Sequence, residues 1–181
     1  MKLPQPLWTM LSKAVLNTPT RGKPVVSSLL RLIGRPVTAR FIDYVIDFED
    51  AYATDEWSTV EGYFTPDAVY EVRNTYFDCH LEGPKAIVQG FQGSLNGFDR
   101  QLKRSLRISD GPYEDKDTIH FGWIGEYTAP GHPPLEITAR QSARYRDGLI
   151  AQLADEYPPG EGQKIADWIE KYDLGLDPNY R

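Results

Sequence analysis

The stretch 143-ARYRDGLIAQLADEY-157 decides how the second half of the chain folds. Asp147-Gly148 is a two-residue hairpin signal between runs of alternating polarity, so residues 143–146 and 149–157 read as adjacent antiparallel strands. Alternate positions from Leu149 are Ala151, Leu153, Asp155 and Tyr157, which puts a carboxylate on an otherwise apolar face. If that face looks inward, Asp155 sits in or beside a core. If the strand has reached water, Asp155 is an ordinary surface acid able to pair with Arg140 or Arg144.

Working outward, residues 101–108, 118–128 and 135–146 are also rich in β-formers. They are separated by "SDGPYEDKD" (109–117) and "APGHPP" (129–134), which predict turns and hence an antiparallel meander. Nearer the start, Val37, Phe41, Tyr44, Val45, Phe48 and Tyr52 recur at three- and four-residue spacing, the stripe of an amphipathic helix. Thr54 is placed to cap a second helix with Trp57, Val60 and Phe64 facing in, stopped by Thr65-Pro66-Asp67. Residues 68–73 alternate as a strand, with 76–81 as a short partner. Gly83-Pro84 then opens a third helix with Ile87, Phe91, Leu95 and Phe98 on one side, weakened by Gly90 and Gly93. A closing helix is marked by Ile165, Trp168, Ile169 and Tyr172, ending near Gly175. Helices first and strands later, with one helix between strands, is an α+β order. The expected organisation is a basic helical arm (1–35), a main domain (36–159) and a C-terminal helix with its tail (160–181).

The 181 residues carry a net charge of −6, but residues 1–40 hold seven basic side chains and no acid, leaving 13 basic and 26 acidic residues in the remainder. An acidic body excludes a nucleic-acid groove across the main domain, because phosphate contacts need a basic surface. The arm is interrupted by Pro4, Pro6, Pro19 and Pro24 and has no apolar run of membrane-spanning length. Leu7, Trp8, Leu11, Val15 and Leu16 give it an apolar side, so docking on protein is expected ahead of contact with an anionic membrane surface. Cys79 is the one cysteine, so no internal disulfide forms and a reducing cytoplasm is the expected compartment.

The three histidines are scattered, with no metal-ligand spacing, and "GFQGSLNGF" lacks the lysine of a phosphate-binding loop. No metal and no cofactor are expected. Aromatic residues are the richer signal. Tyr44, Phe48, Tyr52, Trp57, Tyr70, Phe121, Trp123, Tyr127 and Tyr145 all fall on the predicted elements, an arrangement suited either to a core or to a cavity for a mainly apolar ligand with a few oxygens. Arg104 shares the parity of Leu102, Leu106 and Ile108 and is a candidate to enter such a cavity.

The order "FIDYVIDFEDAYATDEWSTVEGYFTPDAVYEV", "LEGPKAIVQGF" and "RYRDGLIAQLADEY" resembles the nuclear transport factor 2-like superfamily, particularly its SnoaL-like branch, over residues 36–157. The resemblance implies a cone in which a curved antiparallel sheet wraps three helices and leaves a pocket open at one end, with many members dimeric through the outer sheet face. It also implies that the steroid isomerases' base, tyrosine and protonated aspartic acid fall at Val72, Phe48 and near Gln141, which does not suit that chemistry. Tyr52 falls on a site tyrosine of scytalone dehydratase, whose neighbouring aspartate is Ala53 here. Asp155 falls where limonene epoxide hydrolase places a catalytic carboxylate. The resulting expectation is cofactor-independent acid/base chemistry of isomerase, cyclase, dehydratase or epoxide-hydrolase type. Asp155 and Tyr52 would be the catalytic pair, and Trp57, Trp123, Tyr127, Tyr70, Phe48, Gln141 and Arg104 would contact a small, largely hydrophobic oxygenated ligand in a homodimer. The rival expectation is a non-catalytic dimer that binds such a ligand or associates with a partner.

Overall fold

Pro36, whose fixed φ suits a first helical turn, begins the long helix of the computed structural model, which describes residues 23–32 and 34–181. Before it, α1 (Lys23–Leu32) lies against α2 (Pro36–Thr54): Leu30 is buried with Ala39 and Ile42, and Arg31 pairs with Asp43. The expected docking of the first arm segment, Leu7 to Leu16, lies outside the described residues. The remaining elements are α3 (Ser58–Glu61), β1 (Phe64–Arg73), β2 (Cys79–Glu82), α4 (Pro84–Gly97), a 3-10 turn (Asp99–Gln101), β3 (Lys103–Asp115), β4 (Thr118–Thr128), β5 (Leu135–Arg146), β6 (Leu149–Glu156) and α5 (Glu161–Lys171).

The six strands form one sheet in the order β2-β1-β6-β5-β4-β3. The meander from β3 to β6 is antiparallel, and Gln141 stands opposite Asp155. One pair departs from the antiparallel expectation. β1 runs parallel to β6, with Tyr70 opposite Leu153 and Val72 opposite Asp155. A parallel pair needs a long crossover, here everything from β2 to β5, and local spacing carries no trace of it. The inner face of the sheet packs on α2 and α4 in one core that includes Phe41, Tyr44, Tyr70, Phe91, Leu95, Ile119, Phe121 and Leu153.

Three predicted boundaries are corrected. Thr54 is the last residue of α2 rather than the start of a new helix: its hydroxyl bonds back to Asp50 O at 2.8 Å, and Asp55 ends the helix in the left-handed region. Thr65-Pro66-Asp67 does not stop a helix but lies within β1. The ladder is irregular between Phe64 and Val69, so proline's missing donor goes unnoticed there. The segment 109–117 is mostly strand, because bulges between Ile108 and Tyr113 absorb Gly111-Pro112 and the chain turns only at Lys116-Asp117.

The far end of β3 also repairs a local deficit. α2 has no side-chain cap of its own, and Glu114 accepts from Thr38 N (2.9 Å) and Thr38 Oγ1 (2.6 Å), placing a carboxylate on the helix N-terminus. Glu114→Ala is expected to cost about 1 kcal/mol of unfolding free energy in urea titration. An unchanged midpoint would show that water caps the helix equally well.

Candidate functional site

Strand parity and helix spacing converge on a cavity of about 490 Å³ between α2, α4 and the inner face of the sheet. Its wall is rich in aromatic rings, and three carboxylic acids line it: Asp155, Asp99 and, beside Asp99, Glu49.

The first is Asp155. It is 6 % exposed and lines the cavity with Leu153 and Tyr157, the residues of its own period-two face. Gln141, opposite on β5, donates to both oxygens at 2.9 and 3.0 Å. Trp123 Nε1 donates to Oδ1 at 3.2 Å, and the Tyr70 hydroxyl to Oδ2 at 2.9 Å. Among the described residues no Lys, Arg or His pairs with it. Burial therefore pushes the Asp155 carboxyl above the usual carboxylate range, while the bonds from Gln141, Tyr70 and Trp123 pull the other way. The Tyr70 hydroxyl is in turn 3.2 Å from that of Tyr180, and burial together with Asp155 raises both phenols.

The second acid, Asp99, sits at the start of the 3-10 turn after α4. Tyr127 donates to it at 3.1 Å, and Arg104 approaches at 3.5 Å while also bonding both oxygens of Glu49 at 2.8 and 3.0 Å. The Arg104 side chain is only 8 % exposed and its guanidinium lies 3.9 Å over the Tyr52 ring. Desolvation raises Asp99 and Arg104 opposes that rise. Asp99 and Asp155 line the same cavity, together with Tyr157 and Tyr180.

Of the residues expected at the site, Asp155, Tyr70, Trp123, Tyr127, Phe48, Gln141 and Arg104 all line this cavity. Tyr52 and Trp57 do not. Tyr52 is turned toward the 3-10 turn, its hydroxyl 3.4 Å from Asp99 O, so it does not meet Asp155. Trp57 stands edge-on to Phe48 at 5.4 Å, behind the wall, with its indole N–H on Asp55 at 2.9 Å. The phenol that does meet Asp155 is Tyr70, delivered by the parallel β1–β6 pair. The alternative of Asp155 paired with Arg140 or Arg144 is excluded by the same geometry. Asp99 and Tyr180 were missed. Asp99's one sequence hint is an acid five residues before Arg104, and Tyr180 has none.

Leu106, Ile108 and Val45 also line the cavity, and Leu106 is 43 % exposed. Away from it, Cys79 is half-buried with its thiol pushed up to about 11 by burial, and His80 is exposed between Glu71 and Glu82. Among the described residues no group of three or more His, Cys, Asp or Glu is placed to hold a metal ion, and no helix is long and apolar enough to cross a membrane.

A curved sheet wrapped on helices with a cavity inside the cone is the fold of the nuclear transport factor 2-like superfamily, and solved structures agree. A putative isomerase from Bacillus subtilis superposes with a TM-score of 0.54 at 14 % identity, over 74 % of this chain and 95 % of that one. An NTF2-like protein of unknown function from Burkholderia pseudomallei gives 0.53 at 12 %, over 72 % and 97 %. An LEH-like epoxide hydrolase from M. tuberculosis gives 0.51 at 14 %, over 75 % and 96 %. At such identities the likeness is one of fold. No family model matches the sequence, and no curated protein matches it.

Proposed function

We propose that the cavity binds a small, largely apolar, oxygenated molecule and that Asp155 exchanges a proton with it without a cofactor, in the range of isomerase, cyclase, dehydratase and epoxide-hydrolase chemistry of the SnoaL-like branch. The carrying observation is the buried Asp155 carboxyl, lining an aromatic-rich cavity, raised by desolvation and without a cationic partner among the described residues. A carboxyl whose pKa is lifted toward neutrality serves as general acid or base in a way that a solvated one does not. Tyr70, rather than Tyr52, is the phenol bonded to it, and Tyr127 and Gln141 are the other polar contacts a ligand oxygen meets. The ligand is uncharged in this reading, because both arginines on the wall among the described residues already face acids, Arg104 those of Glu49 and Asp99, and Arg107 that of Glu136.

A second reading has its own support. Protein donors occupy both oxygens of Asp155, two on each. An acid so fully engaged suits a protein that carries or senses the same ligand without turning it over. Mass spectrometry of molecules released from natively purified protein, repeated on Asp155→Asn, tests both. Enrichment of a transformed product over its precursor in the wild type alone supports catalysis; the same bound molecule in both supports carriage; and no apolar molecule in either overturns the ligand reading.

We further infer a homodimer through the outer face of β4 and β5, which presents Ile124, Glu126, Glu136 and Arg140 between the inward positions. Light scattering at micromolar concentration is expected to report twice 20.6 kDa; a single 20.6 kDa species rejects it. The single, half-buried cysteine fits the reducing cytoplasm inferred for it.

A further inference from the structure

After α5 the chain returns along α4, and two glycines of that helix, Gly93 and Gly97, make room for it. A Cβ built on Gly93 would run into the carbonyl oxygen of Arg181, and one on Gly97 into that of Asp177. One on Gly90 would strike the Leu81 side chain of β2, and Tyr180 Cβ lies beside it at ordinary contact distance. Spacings of three and four put these glycines on one face of the helix. Glycine inside a helix costs roughly 0.5–1 kcal/mol relative to alanine, so the face is an expense that the docked segment offsets. Asp177 N donates to Gly97 O at 3.0 Å, and Asn179 donates to Asp177 Oδ1 through its backbone N (3.0 Å) and its amide (2.5 Å), closing a turn that directs Tyr180 inward.

The segment delivers cavity wall. Pro178 and Tyr180 both line the cavity, and the Tyr180 ring stands edge-on to Tyr70 with centroids 5.5 Å apart. A phenol has one proton, so with Tyr70 donating to Asp155, Tyr180 donates to Tyr70 and the chain of hydroxyls runs Tyr180, Tyr70, Asp155.

We propose that residues 177–181, seated in the glycine face of α4, form the ligand-selecting wall of the cavity. Tyr180 sets the size of flat, apolar hydroxylated molecule that fits. This rests on the reading of the cavity as a ligand site. With Tyr180 in place the cavity admits a two-ring phenol better than a four-ring one; without it the larger is admitted.

Three variants separate the parts. Gly93→Ala displaces the segment while favouring the helix, Tyr180→Ala removes the wall without touching α4, and Tyr180→Phe keeps the ring and deletes the hydroxyl. Hydrogen exchange at the Asp177 amide is expected to speed up by about tenfold or more in Gly93→Ala, with the buried sheet amides unchanged. Affinities for 2-naphthol and 1-hydroxypyrene are read by quenching of tryptophan fluorescence, Trp123 being in the wall. Gly93→Ala and Tyr180→Ala are expected to shift the ratio about tenfold toward 1-hydroxypyrene, and Tyr180→Phe to keep the wild-type ratio. An Asp177 amide equally protected in Gly93→Ala, or a ratio unmoved by Tyr180→Ala, overturns the proposal while leaving the ligand cavity standing. Failure of wild type and Tyr180→Ala alike to bind either phenol overturns it too; if no apolar molecule co-purifies either, the reading of the cavity falls with it.

Discussion

Replacing Asp155 with Asn is expected to raise the melting temperature at pH 7 while lowering turnover of the cavity's substrate by about 10²-fold or more. The amide keeps the shape of the carboxyl, and Gln141 can turn its own amide to match, so packing is preserved. What is removed is the cost of holding an ionisable group away from water with no cation beside it among the described residues. The sign follows from the direction of the shift. A carboxyl whose folded pKa lies above its unfolded value contributes its stability at low pH and loses it as pH rises through the folded pKa. The wild type is thus penalised at neutral pH, and the advantage of Asp155→Asn should be on the order of 1 kcal/mol there and shrink as the solution is acidified toward the ordinary carboxylate range. Denaturant titrations of both proteins at several pH values check this. An Asn variant less stable than wild type at pH 7 would show that the four bonds to the carboxylate outweigh its desolvation. Retained turnover would remove Asp155 from the chemistry.

Arg104→Met should lower unfolding free energy by about 3 kcal/mol at pH 7. The methionine fills the volume, but Asp99 then stands buried without the guanidinium that now opposes its desolvation. Glu49 suffers less, since its side chain is 36 % exposed and water can solvate it. Loss of Arg104 lifts Asp99 further, so the deficit is fully present at neutral pH and fades as pH falls through the raised pKa and Asp99 takes up its proton. Adding Asp99→Asn to Arg104→Met is expected to recover most of the loss at pH 7. No recovery in the double variant would assign the damage to Arg104's packing on Tyr52 instead.

The aromatic wall was legible in advance, and so was its polarity, because both depend on short-range spacing. Phe48 follows Tyr44 by one helical turn, and Arg104, Leu106 and Ile108 share a strand face; each period is set by the backbone within a few residues. The same rule brought Asp155 inside with Leu153 and Tyr157. Boundaries were harder where two local signals competed. Pro66 and Gly111-Pro112 look like breaks, yet irregular pairing and bulges carry β1 and β3 through them.

By itself, then, the sequence determined which residues share a face, that the order of elements is α+β, and that an acid stands on an apolar strand face, since these follow from periodicity and chain order. Only the tertiary structure decided who meets whom. Tyr70 rather than Tyr52 reaches Asp155 because β1 lies parallel to β6, a pairing between segments 85 residues apart at the hydrogen bond that joins them. Asp99 gained its partners because the 3-10 turn brings it under Arg104 and Tyr127. The glycines of α4, which in sequence only weaken a helix, became a seat for residues 177–181 once the chain had returned from α5. Such contacts depend on the path of the whole chain, and no local periodicity encodes them.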